Sequence, residues 1–204
     1  MSVRAIARDL GMVSSAVYRY VASRDELLTL LLVDAYSDLA DSVDTARTGA
    51  GGGWRDQITA IAGAARQWAI DQPARWALLY GSPVPGYRAP ADRTVGPGTR
   101  VVAGLFDAIG EGLRSGAIPD AEMTVPQTLA ADFDRLRDEF GFAGGDAAIA
   151  KGFVLWAGLV GAISLEVFGQ YGADTLSVPS TVFGLQIQLL MDVLTVDQDS
   201  VTRK

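Results

Sequence analysis

A chain of 204 residues with 49% apolar side chains and a formal charge of -7 is long enough to bury a hydrophobic core without a disulfide or metal to staple it. It contains neither cysteine nor histidine, which removes Cys-His and Ser-His-Asp nucleophilic sites, the usual zinc sites and histidine as a proton switch. The lack of thiols fits a reducing cytoplasm.

The charge is uneven. Arg4, Arg8, Arg19 and Arg24 against Asp9 give residues 1–24 a balance of +3 and leave -10 for the rest, the asymmetry expected where only the head meets a polyanion. No stretch alternates with period two, so the expected fold class is all-α. The first residues lack the apolar run of a signal peptide. Lys151 and Glu166 enclose only 14 uncharged residues, against roughly 20 for a bilayer span, and that segment reads as a buried helix.

In chain order, residues 3–10 form a short helix stopped by Gly11, and residues 14–20 form a second. Ser23, with Glu26 three residues on, reads as a capping box in which hydroxyl and carboxylate each satisfy an orphan backbone N–H. It opens a longer helix running to about residue 44, and residues 48–53 (TGAGGG) form a joint. Trp54, Ile58, Ile61, Ala65 and Trp68 recur on one face of the next helix. Pro73 can start a short helix and Gly81 can stop it. Residues 83–98, PVPGYRAPADRTVGPG, read as a loop. Val102, Phe106, Ile109 and Leu113 mark a further helix closed at Gly116, and residues 126–140 hold another.

The last two helices are apolar on two sides. Phe153, Trp156, Val160, Ile163 and Val167 make one seam of the penultimate helix, while Leu155, Leu159 and Ala162 make a second. Val182, Gln186, Leu189 and Val193 run along the final helix beside Phe183, Ile187, Leu190 and Leu194. One seam can face the chain's own core, and the other needs a second subunit. The expected interface is a four-helix contact through Leu155, Gly158, Leu159, Gly161, Ala162, Leu189 and Val193, with the glycines allowing close approach.

Ala7, Gly11 and Val17, with Ile6, Leu10 and Tyr20 around them, have helix-turn-helix spacing: a small residue at the crossing, glycine in the turn and a branched anchor on the second helix. Spacing alone leaves an ordinary helix pair open. The stretch RAIARDLGMVSSAVYRYVASRDELL, however, resembles the DNA-binding head of the TetR family of bacterial repressors. The resemblance implies a head over residues 1–45 and a ligand-binding and dimerisation body over residues 46–204. It implies phosphate contacts from Tyr18, Tyr20 and Arg24, base-edge positions at Ser14, Ser15 and Ala16 beside Arg19, and a base contact from Arg4. Val13 stands where the family has Ser or Thr. The family also has a helix before this pair, which these residues do not supply, so the head is expected to lack part of its apolar cover. QPARWALLYGSPVPGY and LWAGLVGAISLEVFG resemble a C-terminal variety known for a Trp-His-Gly signature, with Trp156 and Gly161 matching and Val160 at the histidine position.

The function implied is a homodimeric repressor that binds palindromic operator DNA and is released by a mainly apolar small molecule. Trp68, Trp76, Tyr80, Phe106, Phe133, Phe153, Trp156 and Val160 are the candidate effector contacts. No cofactor, metal or membrane is expected. The competing readings are an acid/base enzyme, for which Asp134 and Asp138 share a helix face, and a dimeric binding protein without DNA function.

Overall fold

The computed structural model describes residues 22–172 and 174–196. Arg4, Ser14, Ser15, Ala16, Tyr18, Arg19 and Tyr20, with the predicted helix-turn-helix pair, lie outside the described residues. Among those described there are seven helices and no strand: α1 (Arg24–Gly49), α2 (Trp54–Asp71), α3 (Pro73–Tyr80), α4 (Ala91–Arg114), α5 (Gln127–Phe140), α6 (Asp146–Val167) and α7 (Pro179–Thr195). The all-α class holds.

Ser23 caps α1, its Oγ accepting from the Glu26 N–H at 3.0 Å. The reciprocal half of the capping box is absent, because the Glu26 carboxylate takes both contacts from Arg93 of α4, at 2.9 and 3.0 Å. A charged partner on another helix outcompetes a local backbone N–H. Helix α1 also outruns its expected end, carrying Thr45 and Thr48 to Gly49 while their hydroxyls donate to carbonyls one turn back. The joint shrinks to residues 50–53.

The predicted loop over residues 83–98 is helical from Ala91, and α4 runs through Pro97. Proline removes the N–H that would bond to the Arg93 carbonyl, yet packing overrides that cost. Thr94 and Val101 are buried, and Gly98 lies so close to α1 that an added methyl would meet the Tyr36 ring at 3.5 Å. At the other end Gly116, with φ 70°, takes the left-handed turn that lets Ala117 and Ile118 donate back to the Gly112 carbonyl.

The core is one cluster. Ala35, Leu39, Ala40 and Val43 of α1 meet Ile58, Ile61 and Ala65 of α2, Leu105 and Ile109 of α4, Ile149, Leu155, Leu159 and Ile163 of α6, and Phe183, Ile187 and Leu194 of α7. Helix α6 is long and apolar enough to cross a bilayer by length and composition. Its inner face is nevertheless core, and Glu166 near its end holds Arg66 of α2 through two bonds of 2.6 and 2.8 Å.

This packing corrects the expected dimer seam. Leu155 and Leu159 are each 1% exposed and belong to the subunit's own core. A twofold-apolar helix does not say which seam turns inward; the pairing of α6 with α2, α4 and α7 decides it. Gly158 also serves the subunit, since a methyl there would come within 2.5 Å of Leu190. Leu159→Ala is therefore expected to cost about 2–5 kcal/mol of subunit stability, read as a lowered denaturation midpoint, without a change in oligomeric state by light scattering.

Candidate functional site

Helix α1 leads from residue 24 into the body, and its solvent-side carboxylates are gripped by arginines from the neighbouring helices. Arg75 of α3 binds Asp34 at 2.5 Å and Asp38 at 2.7 Å, and the Trp68 indole N–H donates to the same Asp38 at 2.9 Å. Arg100 of α4 holds Asp41 and Asp44 at 2.7 and 2.6 Å. Arg47 reverses the polarity and reaches Asp107 at 3.2 Å. Because many of these groups are partly in water, each pair is worth about 0–1 kcal/mol; together they fix the register of α1 against α3 and α4. Arg24 stands at the first position of α1, half-exposed, 3.9 Å from Asp25.

Next to this ladder lies an aromatic group. Tyr80 ends α3 with its ring 4.3 Å from Trp76 and 5.9 Å from Trp156 of α6. Trp76 is sealed and donates its indole N–H to Ser164 at 3.1 Å. Burial first, and then the neighbouring Tyr36, pushes the Tyr80 phenol above its ordinary range. Tyr36 of α1 is raised by burial and by Tyr87, and Tyr87 shares a 2.8 Å hydrogen bond with Thr29 of α1. Tyr87 from the segment before α4 and Tyr36 of α1 thus both sit along α1, Tyr87 through Thr29 and Tyr36 against Gly98 of α4.

The eight expected effector contacts do not form one cluster. Trp76, Tyr80 and Trp156 come together, with Val160 packed on the core of the same helix. Trp68 is tied to Asp38. Phe106 stacks instead with Phe140 and Phe142 at 5.3 and 4.9 Å, beside a cleft of about 430 Å³ at the far end of α4. Phe133 meets Phe153 at 6.2 Å, and Phe153, 47% exposed, lines no interior site. Helical spacing assigns a face but not the partner opposite it. Helical spacing does not single out Tyr36, Tyr87 and Thr29; the signal in the sequence is a tyrosine on the core side of α1, one turn from Leu32 and Ala40.

A separate apolar groove of about 420 Å³ runs between α6 and α7, lined by Gly158, Gly161, Ala162, Leu165, Leu189 and Val193. Leu189 is 66% exposed, and nothing lies within 4 Å of a methyl built on Gly161. Asp134 pairs with Arg137 at 2.6 Å on the surface. No cluster of potential metal ligands occurs among the described residues.

Residues 58–190 match the model of the tetracyclin repressor-like C-terminal domain family. HTH-type transcriptional regulators of Mycobacterium bovis and Mycobacterium tuberculosis are 63% identical over 195 residues, covering 95% of this chain and 83% of theirs. The chain belongs to the TetR family of transcriptional regulators. Among solved structures, the candidate regulatory protein SCO4313 is 32% identical, with a TM-score of 0.68 over 94% of this chain and 85% of its own. The TetR family regulator PfmR from Thermus thermophilus, at 12% identity, shares the fold with a TM-score of 0.59 over 95% and 87% of the two chains.

Membership in a family of transcriptional regulators removes the acid/base enzyme reading, and in this TetR family chain Asp134 is one end of a surface ion pair. The phenol shift has a pH consequence. A tyrosine whose folded pKa is raised keeps its proton when the unfolded chain has begun to lose it, so stability falls as pH rises above about 10. Tyr80→Phe should lessen that alkaline loss relative to wild type, seen as guanidinium midpoints that converge, or cross, between about pH 8 and pH 11.

Proposed function

We propose that the chain is a homodimeric, effector-released repressor acting in the cytoplasm on palindromic operator DNA. The observation that carries this reading is the position of α1: the helix that leaves the head is the same helix that presents Tyr36, Thr29 and the carboxylate ladder to α3 and α4. A small molecule wedged among the aromatic side chains would favour a different seating of α1, and a dimer whose two heads no longer match adjacent major grooves, about 34–36 Å apart, loses affinity. The effector is mainly apolar, since Trp76, Trp156 and Val160 supply aromatic and aliphatic surface and no histidine is present to titrate.

The groove between α6 and α7 is the proposed dimer contact, now centred on Gly161, Ala162, Leu165, Leu189 and Val193. Leu185 and Val154 extend the exposed apolar strip, which a subunit in water would leave uncovered. Arg24, at the entry to α1, is the one proposed phosphate contact among the described residues. Ser14, Ser15, Ala16, Tyr18, Arg19, Tyr20 and Arg4 complete the proposed DNA surface by resemblance.

Two measurements test this. Leu189→Glu should convert a dimer into monomers by light scattering at micromolar concentration, with helical content retained; a wild-type monomer there would sink the dimer. DNA binding by fluorescence anisotropy should weaken steeply with salt, and Arg24→Ala should reduce the log–log salt slope by about one phosphate per head while weakening all sequences alike. A chain that binds no DNA at low salt contradicts the repressor reading.

A further inference from the structure

The last turns of α4 and α5 and the segment 141–145 that joins α5 to α6 form the cleft of about 430 Å³, within the roughly 300–1,000 Å³ typical of small-molecule sites. Its wall is firmly built. Gly141, with φ 60°, turns the chain after α5 so that the Phe142 N–H donates to the Arg137 carbonyl at 3.0 Å. Arg137 donates through Nε to the Gly144 carbonyl at 3.0 Å and through its terminal nitrogens to Asp134 and Asp146, and the Gly145 N–H donates to Asp120 at 3.1 Å. Phe142 is thereby laid against Phe106, which also stacks on Phe140, with ring centroids 4.9 and 5.3 Å apart. All three rings line the cleft.

The polar groups of the wall divide into those with partners and those without. Asp107 is held by Arg47 of α1 at 3.2 Å, and Asp120 by the Gly145 N–H. Two donors are left over. The side chain of Arg114, the last residue of α4 and exposed, makes no ion pair or hydrogen bond among the described residues, and the N–H of Gly144, a buried residue, has no acceptor among them. Buried backbone N–H groups are rarely left unpaired in a folded protein, and a planar guanidinium suits a carboxylate. An amine in the cleft would have to take Asp107 from Arg47 or share Asp120 with the backbone, against the charge of Arg114. A hydrocarbon would answer neither donor.

We propose that this cleft is a second ligand site, taking an aromatic carboxylate whose ring lies on Phe106, Phe140 and Phe142 and whose carboxylate is received by Arg114 and the Gly144 N–H. The site is separate from the effector site described above, since none of Trp76, Tyr80 or Trp156 lines the cleft. Through Asp107 and Arg47 it abuts the last turn of α1, at the end of that helix away from Arg24.

Calorimetric titration of the full 204-residue chain with 2-naphthylacetate, 2-naphthylacetamide and 2-naphthylethylamine compares three charge states on one ring system. The acid is expected to bind about tenfold more tightly than either of the others, with an affinity that falls as salt is added. Arg114→Gln, at an exposed position, should weaken the acid by about 3- to 10-fold, a charge-assisted bond discounted for exposure, remove most of the salt dependence and leave the amide unchanged. Gly110→Leu places a side chain in the cleft, where a methyl meets only the Phe142 ring at 3.9 Å, and should abolish binding of the acid. Circular dichroism and melting confirm that each variant is folded; if the leucine variant is not, Gly110→Ala carries the same test with a smaller loss. An amide or amine that matches the acid, an Arg114→Gln chain that tracks wild type, or a wild type that binds no acid at millimolar concentration would each overturn the proposal. So would acid binding untouched by the Gly110 substitution, which would put the ligand elsewhere on the molecule.

Discussion

Helix α1 is held to the body by two kinds of force with different roles. Ala35, Leu39, Ala40 and Val43 are lost to solvent beneath α2 and α4, and burial of that edge supplies the stability, at about 25 cal/mol per Å² of apolar surface. The outer edge carries Glu26, Asp34, Asp38, Asp41 and Asp44 against Arg93, Arg75 and Arg100. Those pairs add little energy in water, but they allow few registers. A ligand that changes the seating of such a helix would have to supply the difference in free energy between the two seatings through its own differential affinity. The aromatic group sits where such a shift would be felt, because Tyr36 and Thr29 are part of α1 itself.

Helices α6 and α7 divide their surfaces in a comparable way. Their inner faces, through Leu155, Leu159, Ile163, Ile187 and Leu194, complete the core that α1 leans on. Their outer faces leave Leu165, Leu185, Leu189 and Val193 in water. The α6 helix is braced from within by the Arg66–Glu166 fork and by the Lys151 ammonium, which donates to the Leu194 and Val196 carbonyls at the end of α7. In the proposed dimer, a rigid pair of this sort would give a partner subunit a fixed surface, against which a change in the seating of α1 would alter the spacing between the two heads.

Much of the fold is legible in the residues because local chemistry and tertiary packing agree. Ser23 starts α1, Pro73 and Gly81 bracket α3, Gly116 ends α4, and the Trp54 to Trp68 periodicity marks the buried face of α2. The failures come where a distant partner overrules a local rule. Pro97 and its flanking glycines read as a loop, but Tyr36, Glu26 and Asp41 hold that segment in a helix. Glu26 reads as a cap and is instead an ion-pair partner. Leu155 and Leu159 read as an interface because α6 is apolar on both sides, and periodicity cannot rank two equal faces. The candidate site was half visible: Trp76, Tyr80 and Trp156 come together, whereas Phe106, Phe133 and Phe153 belong elsewhere, and Tyr36 needed the third dimension to be noticed.

The absence of cysteine makes the proposed movement of α1 directly measurable. A single spin label at Ala22→Cys, just before the α1 cap and exposed, gives one label per subunit, and pulsed electron resonance then reads the distance between the two α1 entrances in the dimer. A defined inter-subunit distance that shifts or broadens when a neutral apolar probe such as Nile red is added, and returns when it is removed, is the predicted result. A distance identical with and without the ligand, or no dipolar coupling between subunits at all, would contradict the coupling of the aromatic site to the head through α1.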